Sequence, residues 1–148
     1  MRRFRPGVIP AFALLAVACS TGGSTPPSLT GTSQPAIATR IDVQLTDALK
    51  IEPAVMAVPV GVPVTFVVTN TGLLEHEFYL GDEAAQAEHD REMAASGMAH
   101  DEPEGIGVDP GETKELVFTF AQAGGSIAGC HVVGHYGAGM KATITVTP

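Results

Sequence analysis

The 148-residue sequence has no tryptophan, only two tyrosines, only two cysteines and few basic residues. Eight Lys and Arg stand against sixteen Asp and Glu, which gives a formal net charge of −8 at pH 7. A chain this poor in basic residues lacks the positive face that binding to nucleic-acid phosphates requires. The composition therefore excludes a nucleic-acid-binding protein and favours a partner of positive charge.

The sequence also has no apolar run long enough to cross a bilayer. Its longest apolar run, residues 8–18, has eleven residues and follows a positive start at Arg2, Arg3 and Arg5, whereas a transmembrane helix needs about 20. This pattern is typical of a secretory signal. The run ends in LAVAC, which resembles the lipobox of bacterial lipoproteins, with Ala16 in place of the usual Leu. We predict a signal peptide over residues 1–18 and a lipid on Cys19; the alternative is an ordinary secreted protein cleaved nearby.

Residues 19–40 are rich in Ser, Thr, Gly and Pro and offer few side chains to bury. Such a composition predicts a flexible, lipid-anchored linker, followed by one folded domain over residues 41–148. Without the leader, five basic residues remain against sixteen acids, so the mature chain is near −11. We expect it to be a monomer outside the cytoplasm, anchored to the cell membrane or otherwise secreted or periplasmic, with a metal ion or a basic redox protein as partner.

Short strand-like runs recur through the domain, at residues 41–45, 62–70, 76–80, 113–120 and 141–147. They are rich in β-branched residues and are separated by Gly and Pro turn signals. In the fourth run, Leu116, Phe118 and Phe120 share one face by the period of two. The pattern predicts an all-β antiparallel sandwich or barrel.

Residues 81–105 interrupt the strands with a helix-forming sequence. Asp82 is a good N-cap, and we predict a short helical insertion around residues 82–96. The stretch 75–104 holds ten of the sixteen acids. We interpret these acids as a solvated face, with a docking surface as the alternative.

The sequence GCHVVGHYGAGM, residues 129–140, places Cys130, His135 and Met140 on a loop directly before the last predicted strand. A thiolate, an imidazole and a thioether together suit copper, and two His with one Cys and a weak axial Met make the electron-transfer copper geometry. The missing imidazole is predicted to be His76, which opens the strand at residues 76–80. Lone Cys130 is a candidate metal thiolate; a buried structural thiol is the alternative.

With these residues the sequence resembles the cupredoxins, the blue-copper family of plastocyanin and azurin, over about residues 41–148. The resemblance implies a Greek-key β-sandwich, one type 1 copper, in-plane ligands His76, Cys130 and His135, and axial ligand Met140. The sequence departs from the usual family pattern at three places. Val133 stands where Pro is usual before Gly134-His135, Gly129 stands where an aromatic often precedes the cysteine, and Glu77 stands where Asn often follows the first histidine.

The sequence has further histidines and methionines that could bind a metal, beside Cys130 and in the helical insertion. His131 follows Cys130 directly, and we predict that it is not a ligand, because neighbouring side chains of a strand point to opposite sides. A possible second copper site comprises His89, Met93, Met98 and His100, whose thioether and imidazole groups suit Cu(I). The alternative is that Met93 packs the helix on the sandwich while the histidines are solvated.

The resemblance implies a one-electron carrier that is not an enzyme, with His135 as the electron exit and Tyr136 beside it in the contact patch. The alternative hypothesis is copper handling outside the cytoplasm, meaning sequestration, delivery or tolerance, with a copper-delivery partner in place of a redox partner. The Met- and His-bearing insertion and the negative charge favour this second hypothesis.

Overall fold

The computed structural model describes residues 39–96 and 99–148. The signal peptide predicted over residues 1–18, Cys19 and nearly all of the predicted linker lie outside the described residues, as does Met98. Within them, no helix is both long and apolar enough to cross a membrane. The described elements, in chain order, are β1 (Arg40–Thr46), β2 (Lys50–Glu52), β3 (Val55–Pro59), β4 (Pro63–Asn70), β5 (His76–Gly81), α1 (Glu83–Ser96), β6 (Gly105–Val108), β7 (Thr113–Thr119), β8 (Gly124–Gly129) and β9 (Lys141–Thr147).

The strands form two sheets that pack face to face. One sheet has the order β2-β1-β4-β7 and the other β3-β9-β8-β5-β6. Two pairs, β1 with β4 and β3 with β9, are parallel, and the remaining pairs are antiparallel. Because most spatial neighbours are not consecutive in the chain, the connections cross between the sheets as in a Greek key. The predicted all-β sandwich is confirmed.

The core lies between the two sheets and is built from alternating side chains. In β4, Val64, Phe66 and Val68 are fully buried, and the Phe66 ring lies 5.3 Å from that of Phe78 in the opposite sheet. The predicted inward face of β7 is also confirmed, since Leu116 is buried and Phe118 packs against the core. Full burial of one such side chain stabilises the folded state by about 1.5–3 kcal/mol. The packed layer therefore supplies a rigid base for the loops at its end.

Helix α1 connects β5 to β6, as the predicted insertion requires. The Asp82 carboxylate accepts hydrogen bonds from the backbone N–H groups of Ala84 and Ala85, at 3.0 and 2.9 Å, and so caps the helix. The helix buries Gln86, His89 and Met93, which lie three and four residues apart and therefore on one face. The expectation of solvated histidines is wrong for His89, which is 1% exposed, because a polar helix has packed its imidazole against the sheet.

Candidate metal centre

His76 is the first residue of β5, and the turn before it is held by Asn70. The Asn70 amide donates to the carbonyl oxygens of Leu74 and Val108, at 2.7 and 2.9 Å, and its oxygen accepts from the N–H of Gly72 at 2.9 Å. Asn70 is fully buried at the end of β4, so it ties the turn to β4 and to β6. His76 pairs with Val108 of β6 and is itself fully buried. The local sequence therefore fixes the backbone that carries this imidazole.

Asp47 positions the same turn and the His76 ring from the other side. Its carboxylate accepts the backbone N–H groups of Leu73 and Leu74, at 2.8 and 3.2 Å, and lies 3.4 Å from His76 Nε2. The hydrogen bond from Leu73 is the main reason that the pKa of Asp47 is lowered. A carboxylate that accepts one imidazole N–H leaves the other nitrogen free to bind a metal. That other atom, His76 Nδ1, faces Cys130 Sγ at 3.9 Å.

The other three predicted ligands lie on the loop between β8 and β9. The loop is closed by hydrogen bonds from Met140 N–H to the carbonyl of His135, at 3.0 Å, and from Cys130 N–H to the carbonyl of Met140, at 3.2 Å. Gly134 and Gly139 have φ values of 86° and 95°, which favour glycine over residues with a side chain. The loop folds back on itself and brings its first, middle and last residues together.

The four predicted ligands converge at one end of the sandwich. Cys130 Sγ lies 3.4 Å from His135 Nδ1, the two imidazole centroids are 5.0 Å apart, and one ligand atom each from His76, Cys130 and His135 all lie within 4.8 Å of one another. Met140 is fully buried in the same core cluster as Cys130. Together these residues form a type 1-like site, whose soft sulfur and imidazole donors fit copper.

The protonation states of the site couple metal binding to the release of a proton. Burial raises the pKa of the Cys130 thiol to about 11, against smaller opposing effects of the backbone N–H groups of Glu77 and Val132. Burial, and next the charge of His76, lower the pKa of His135. The metal-free site therefore holds a neutral thiol and, at His135, a neutral imidazole at pH 7. A cation that binds there must displace the thiol proton.

His131 points away from the centre, which supports the prediction that it is not a ligand. Its Nε2 lies 2.7 Å from Gln86 Oε1 and its Nδ1 lies 3.1 Å from Asp90 Oδ1, both on α1. The Tyr136 ring stacks on it at 4.3 Å. Both imidazole nitrogens are thus engaged by the helix.

The helix also explains why glycine precedes the cysteine. A Cβ atom at Gly129 would collide with Gln86 Oε1 and would lie 2.8 Å from the Tyr136 ring. The space that an aromatic residue would need at this position is therefore filled by α1 and by Tyr136.

Glu77 is a part of the site that the sequence did not identify. It is fully buried, and its backbone N–H donates to Cys130 Sγ at 3.3 Å. Its Oε2 accepts the backbone N–H of His131 at 3.1 Å, and its Oε1 lies 2.9 Å from His89 Nε2. Glu77 thus connects the cysteine loop to helix α1. Its one signal in the sequence was the departure from the usual Asn after the first histidine.

The second copper site proposed from the sequence stays a prediction. His89 and His100 lie with ring centroids 6.3 Å apart, and Met93 is buried against the sandwich. Met98, the fourth residue of that set, lies outside the described residues. What the structure adds around His89 is two carboxylates, Glu77 and Glu102.

Comparison with known proteins bears on the whole domain. The family model for copper-binding proteins of the plastocyanin/azurin family matches residues 37–147. A protein named copper-resistant cuproprotein CopI from Pseudomonas aeruginosa is 36% identical in an alignment of length 138 that covers 73% of this chain and 76% of that protein. The protein of the same name from Rubrivivax gelatinosus is 36% identical over 107 residues, which span 72% of this chain and 65% of that protein.

A solved structure has the same fold. The auracyanin of the photosynthetic bacterium Roseiflexus castenholzii superposes with a TM-score of 0.68, covering 75% of this chain and 98% of that one, at 24% sequence identity. The predicted cupredoxin-like sandwich is confirmed by this likeness.

Proposed function

The chain belongs to the plastocyanin/azurin family of copper-binding proteins, and on that premise we propose that it carries single electrons through one type 1 copper. His76, Cys130, His135 and Met140 are the residues that would hold the ion. When bound, copper supplies a one-electron couple between Cu(II) and Cu(I). We propose that the chain is not an enzyme, because transfer of a single electron makes and breaks no covalent bond.

The observation that carries this proposal is the preorganisation of the donor atoms. His76 Nδ1 lies 3.9 Å and His135 Nδ1 lies 3.4 Å from Cys130 Sγ. Asp47 holds the first imidazole, and the loop hydrogen bond of Met140 to His135 holds the second. A site that needs little rearrangement between two charge states suits electron transfer.

The route to the surface runs through His135. This residue is 9% exposed, the largest exposed fraction of the four predicted ligands, and Val133 beside it is 79% exposed. We propose that a redox partner docks on this part of the loop, with Tyr136 at its edge. The ring edge of His135 is then the point at which we propose that the electron leaves the centre for the partner.

The second candidate function is copper tolerance. Its support is that relatives 36% identical to this chain bear the name copper-resistant cuproprotein. The excess of sixteen acids over eight basic residues also suits the capture of a cation. In this function the same ligands sequester or deliver copper outside the cytoplasm, and the partner is a copper acceptor.

We also propose that the chain acts outside the cytoplasm and is anchored through a lipid on Cys19. Metabolic labelling with a fatty acid checks this point, and loss of the label in Cys19→Ala together with release from the membrane fraction is the expected result. Label that persists in Cys19→Ala contradicts the anchor and leaves the copper site unaffected.

Two measurements separate the carrier from the copper-handling function. The carrier exchanges electrons rapidly and reversibly with a cytochrome and keeps one copper per chain through repeated cycles. A copper-handling protein transfers its copper to an acceptor protein. Copper transfer on the time scale of mixing, with slow electron exchange, contradicts the carrier function.

A further inference from the structure

Buried His89 has a carboxylate beside each of its ring nitrogens. Nε2 makes a hydrogen bond of 2.9 Å with Glu77 Oε1, while Nδ1 lies 3.2 Å from Glu102 Oε1 without making one. An ionised carboxylate only accepts hydrogen bonds, and the other Glu77 oxygen already accepts the N–H of His131. Nε2 therefore donates a proton to Glu77, and in the neutral imidazole Nδ1 presents a lone pair to Glu102.

This leaves two acceptor atoms facing each other inside the protein. Nδ1 of His89 and Oε1 of Glu102 are both buried, and neither has a hydrogen-bond partner among the described residues. Burial of such atoms without a partner is costly. Their separation of 3.2 Å is close to the ~3.3 Å between two ligands of a tetrahedral ion with bonds of about 2.0–2.1 Å. The pair has the spacing of two ligands on one cation.

We propose that His89 and Glu102 form a second metal site, distinct from the copper centre, that takes a borderline divalent cation of the Zn²⁺ type. An imidazole whose other N–H is held by a buried carboxylate is the usual arrangement around such ions, and Glu77 supplies that carboxylate. Imidazole nitrogen and carboxylate oxygen select a divalent ion, whereas Cu(I) prefers soft sulfur ligands. The site therefore needs no thioether from the insertion.

Two neighbouring side chains can complete the ligand set. Glu92 Oε2 lies 3.8 Å from His89 Nδ1, and His100 Nε2 lies 4.0 Å from Glu102 Oε1. Their side chains are 60% and 53% exposed, so small rotations bring them to the ion without repacking the core. The Tyr79 ring, stacked on His89 at 3.8 Å with parallel planes, holds the imidazole in place.

The site is joined to the copper centre through Glu77. The Glu77 carboxylate holds His89, and its backbone N–H donates to Cys130 Sγ at 3.3 Å. A divalent ion bound to His89 strengthens the hydrogen bond that His89 donates to Glu77. It also adds positive charge near the Cys130 thiolate. We therefore expect the ion to shift the thiolate-to-copper absorption band, whether the protein carries electrons or handles copper.

The experiment uses the copper-loaded protein, in which the type 1 site is already filled. Zn²⁺ is added at pH 7, binding is followed by calorimetry, and zinc and copper are counted after gel filtration. We expect one zinc per chain with the copper retained. The variants His89→Gln and Glu102→Gln each weaken zinc binding at least about tenfold.

Two control variants show whether a loss of zinc binding is specific to the proposed ligands. Glu88→Gln makes the same charge change on α1, at a side chain that is 60% exposed and paired with Arg91 at 2.7 Å, and leaves zinc binding unchanged. Met93→Leu conserves the volume of a buried side chain and also leaves it unchanged. The copper absorption of each variant reports that it has folded; where His89→Gln fails to fold, Glu102→Gln, whose side chain is 24% exposed, decides.

The proposal is overturned when the copper-loaded protein takes up no zinc, when zinc displaces the copper instead, or when Glu102→Gln keeps the wild-type affinity. In those cases a shared proton or direct packing accounts for the His89–Glu102 contact. None of these outcomes affects the assignment of the type 1 copper ligands.

Discussion

The backbone N–H of Glu77 donates a hydrogen bond to the sulfur of Cys130 across 3.3 Å. Glu77 follows one predicted ligand, His76, and thus contacts another predicted ligand that lies 53 residues further along the chain. A donor aimed at the thiolate stabilises its negative charge, and such contacts tune the potential of a copper–thiolate centre. The first and last parts of the site are therefore joined by the backbone of β5.

Replacing Cys130 by Ser is expected to abolish the intense thiolate-to-copper absorption while leaving the sandwich folded. The hydroxyl is of similar size to the thiol, but it remains protonated and does not supply the soft anionic ligand. Visible absorption and copper counts after Cu(II) addition measure the effect. The matched control is His131→Gln, next in the chain, whose ring contacts α1 rather than the centre. A variant Cys130→Ser that keeps the absorption band contradicts the assigned ligand set.

Copper(II) affinity is expected to rise with pH. The pKa of the Cys130 thiol is raised to about 11, so below that pH the thiol is protonated and copper must displace the proton. Each unit of pH adds about tenfold to the apparent affinity from this group alone. The lowered pKa of His135 keeps that imidazole neutral at pH 7, so it adds no proton there. Calorimetry at pH 7 in buffers of different ionisation enthalpy counts the protons released, and no release of the thiol proton contradicts the expectation.

Glu77→Gln is expected to lower the free energy of unfolding by about 1–3 kcal/mol, the cost of leaving a buried polar group poorly paired. The carboxylate accepts hydrogen bonds on both oxygens, from His131 and His89, and an amide can accept on one only. Urea unfolding measures the difference. Glu75→Gln, an exposed residue two positions earlier with the same charge change, is the control and is expected to change stability little. Equal effects of the two substitutions contradict the role given to Glu77.

The strands that the sequence predicted best are those with strong side-chain signals. In β4 and β9, β-branched and aromatic residues alternate with polar ones, and each burial pattern follows that alternation. The strands β2, β3, β6 and β8 were not predicted. In β6 and β8 the reason is that GIGV and GGSIAG are rich in glycine, which has low strand propensity. Strand β8 forms because it pairs with β5 on one side and β9 on the other. Tertiary pairing, rather than local preference, determines its structure.

The residues of the site also divide into those that the sequence predicted and those that it did not. Its four predicted ligands could be found because a thiol, imidazoles and a thioether are rare in this chain and fall at a recognisable spacing. Asp47 is one of sixteen acids, and nothing local distinguishes it from a solvated carboxylate. Glu77 was marked only by its departure from the usual Asn, which does not reveal its role. The Asp47 carboxylate meets His76 across 29 residues of sequence. Such contacts depend on the register between β-strands, which composition and spacing do not specify.

Asp47→Asn is expected to make copper dissociate faster, because it weakens the support of the His76 imidazole. The carboxylate holds the turn before β5 through the N–H groups of Leu73 and Leu74 and approaches His76 Nε2 at 3.4 Å. An amide keeps only one acceptor oxygen, so the imidazole loses part of its support, and copper is expected to dissociate at least severalfold faster. Loss of the visible band in excess chelator measures the rate. Asp42→Asn, which makes the same charge change at a side chain 79% exposed, is the control.

The pH dependence of the unfolding free energy tests whether Asp47 acts through its charge. The pKa of Asp47 is lowered by folding, mainly by the hydrogen bond from Leu73, so its contribution to stability is present above the ordinary value of 3.8 and is lost as pH falls through the lowered folded value. The difference in unfolding free energy between the wild type and Asp47→Asn in the metal-free protein should therefore be constant above about pH 5 and shrink in acid. A difference that stays constant below the folded pKa would mean that Asp47 acts through its shape and not through its charge.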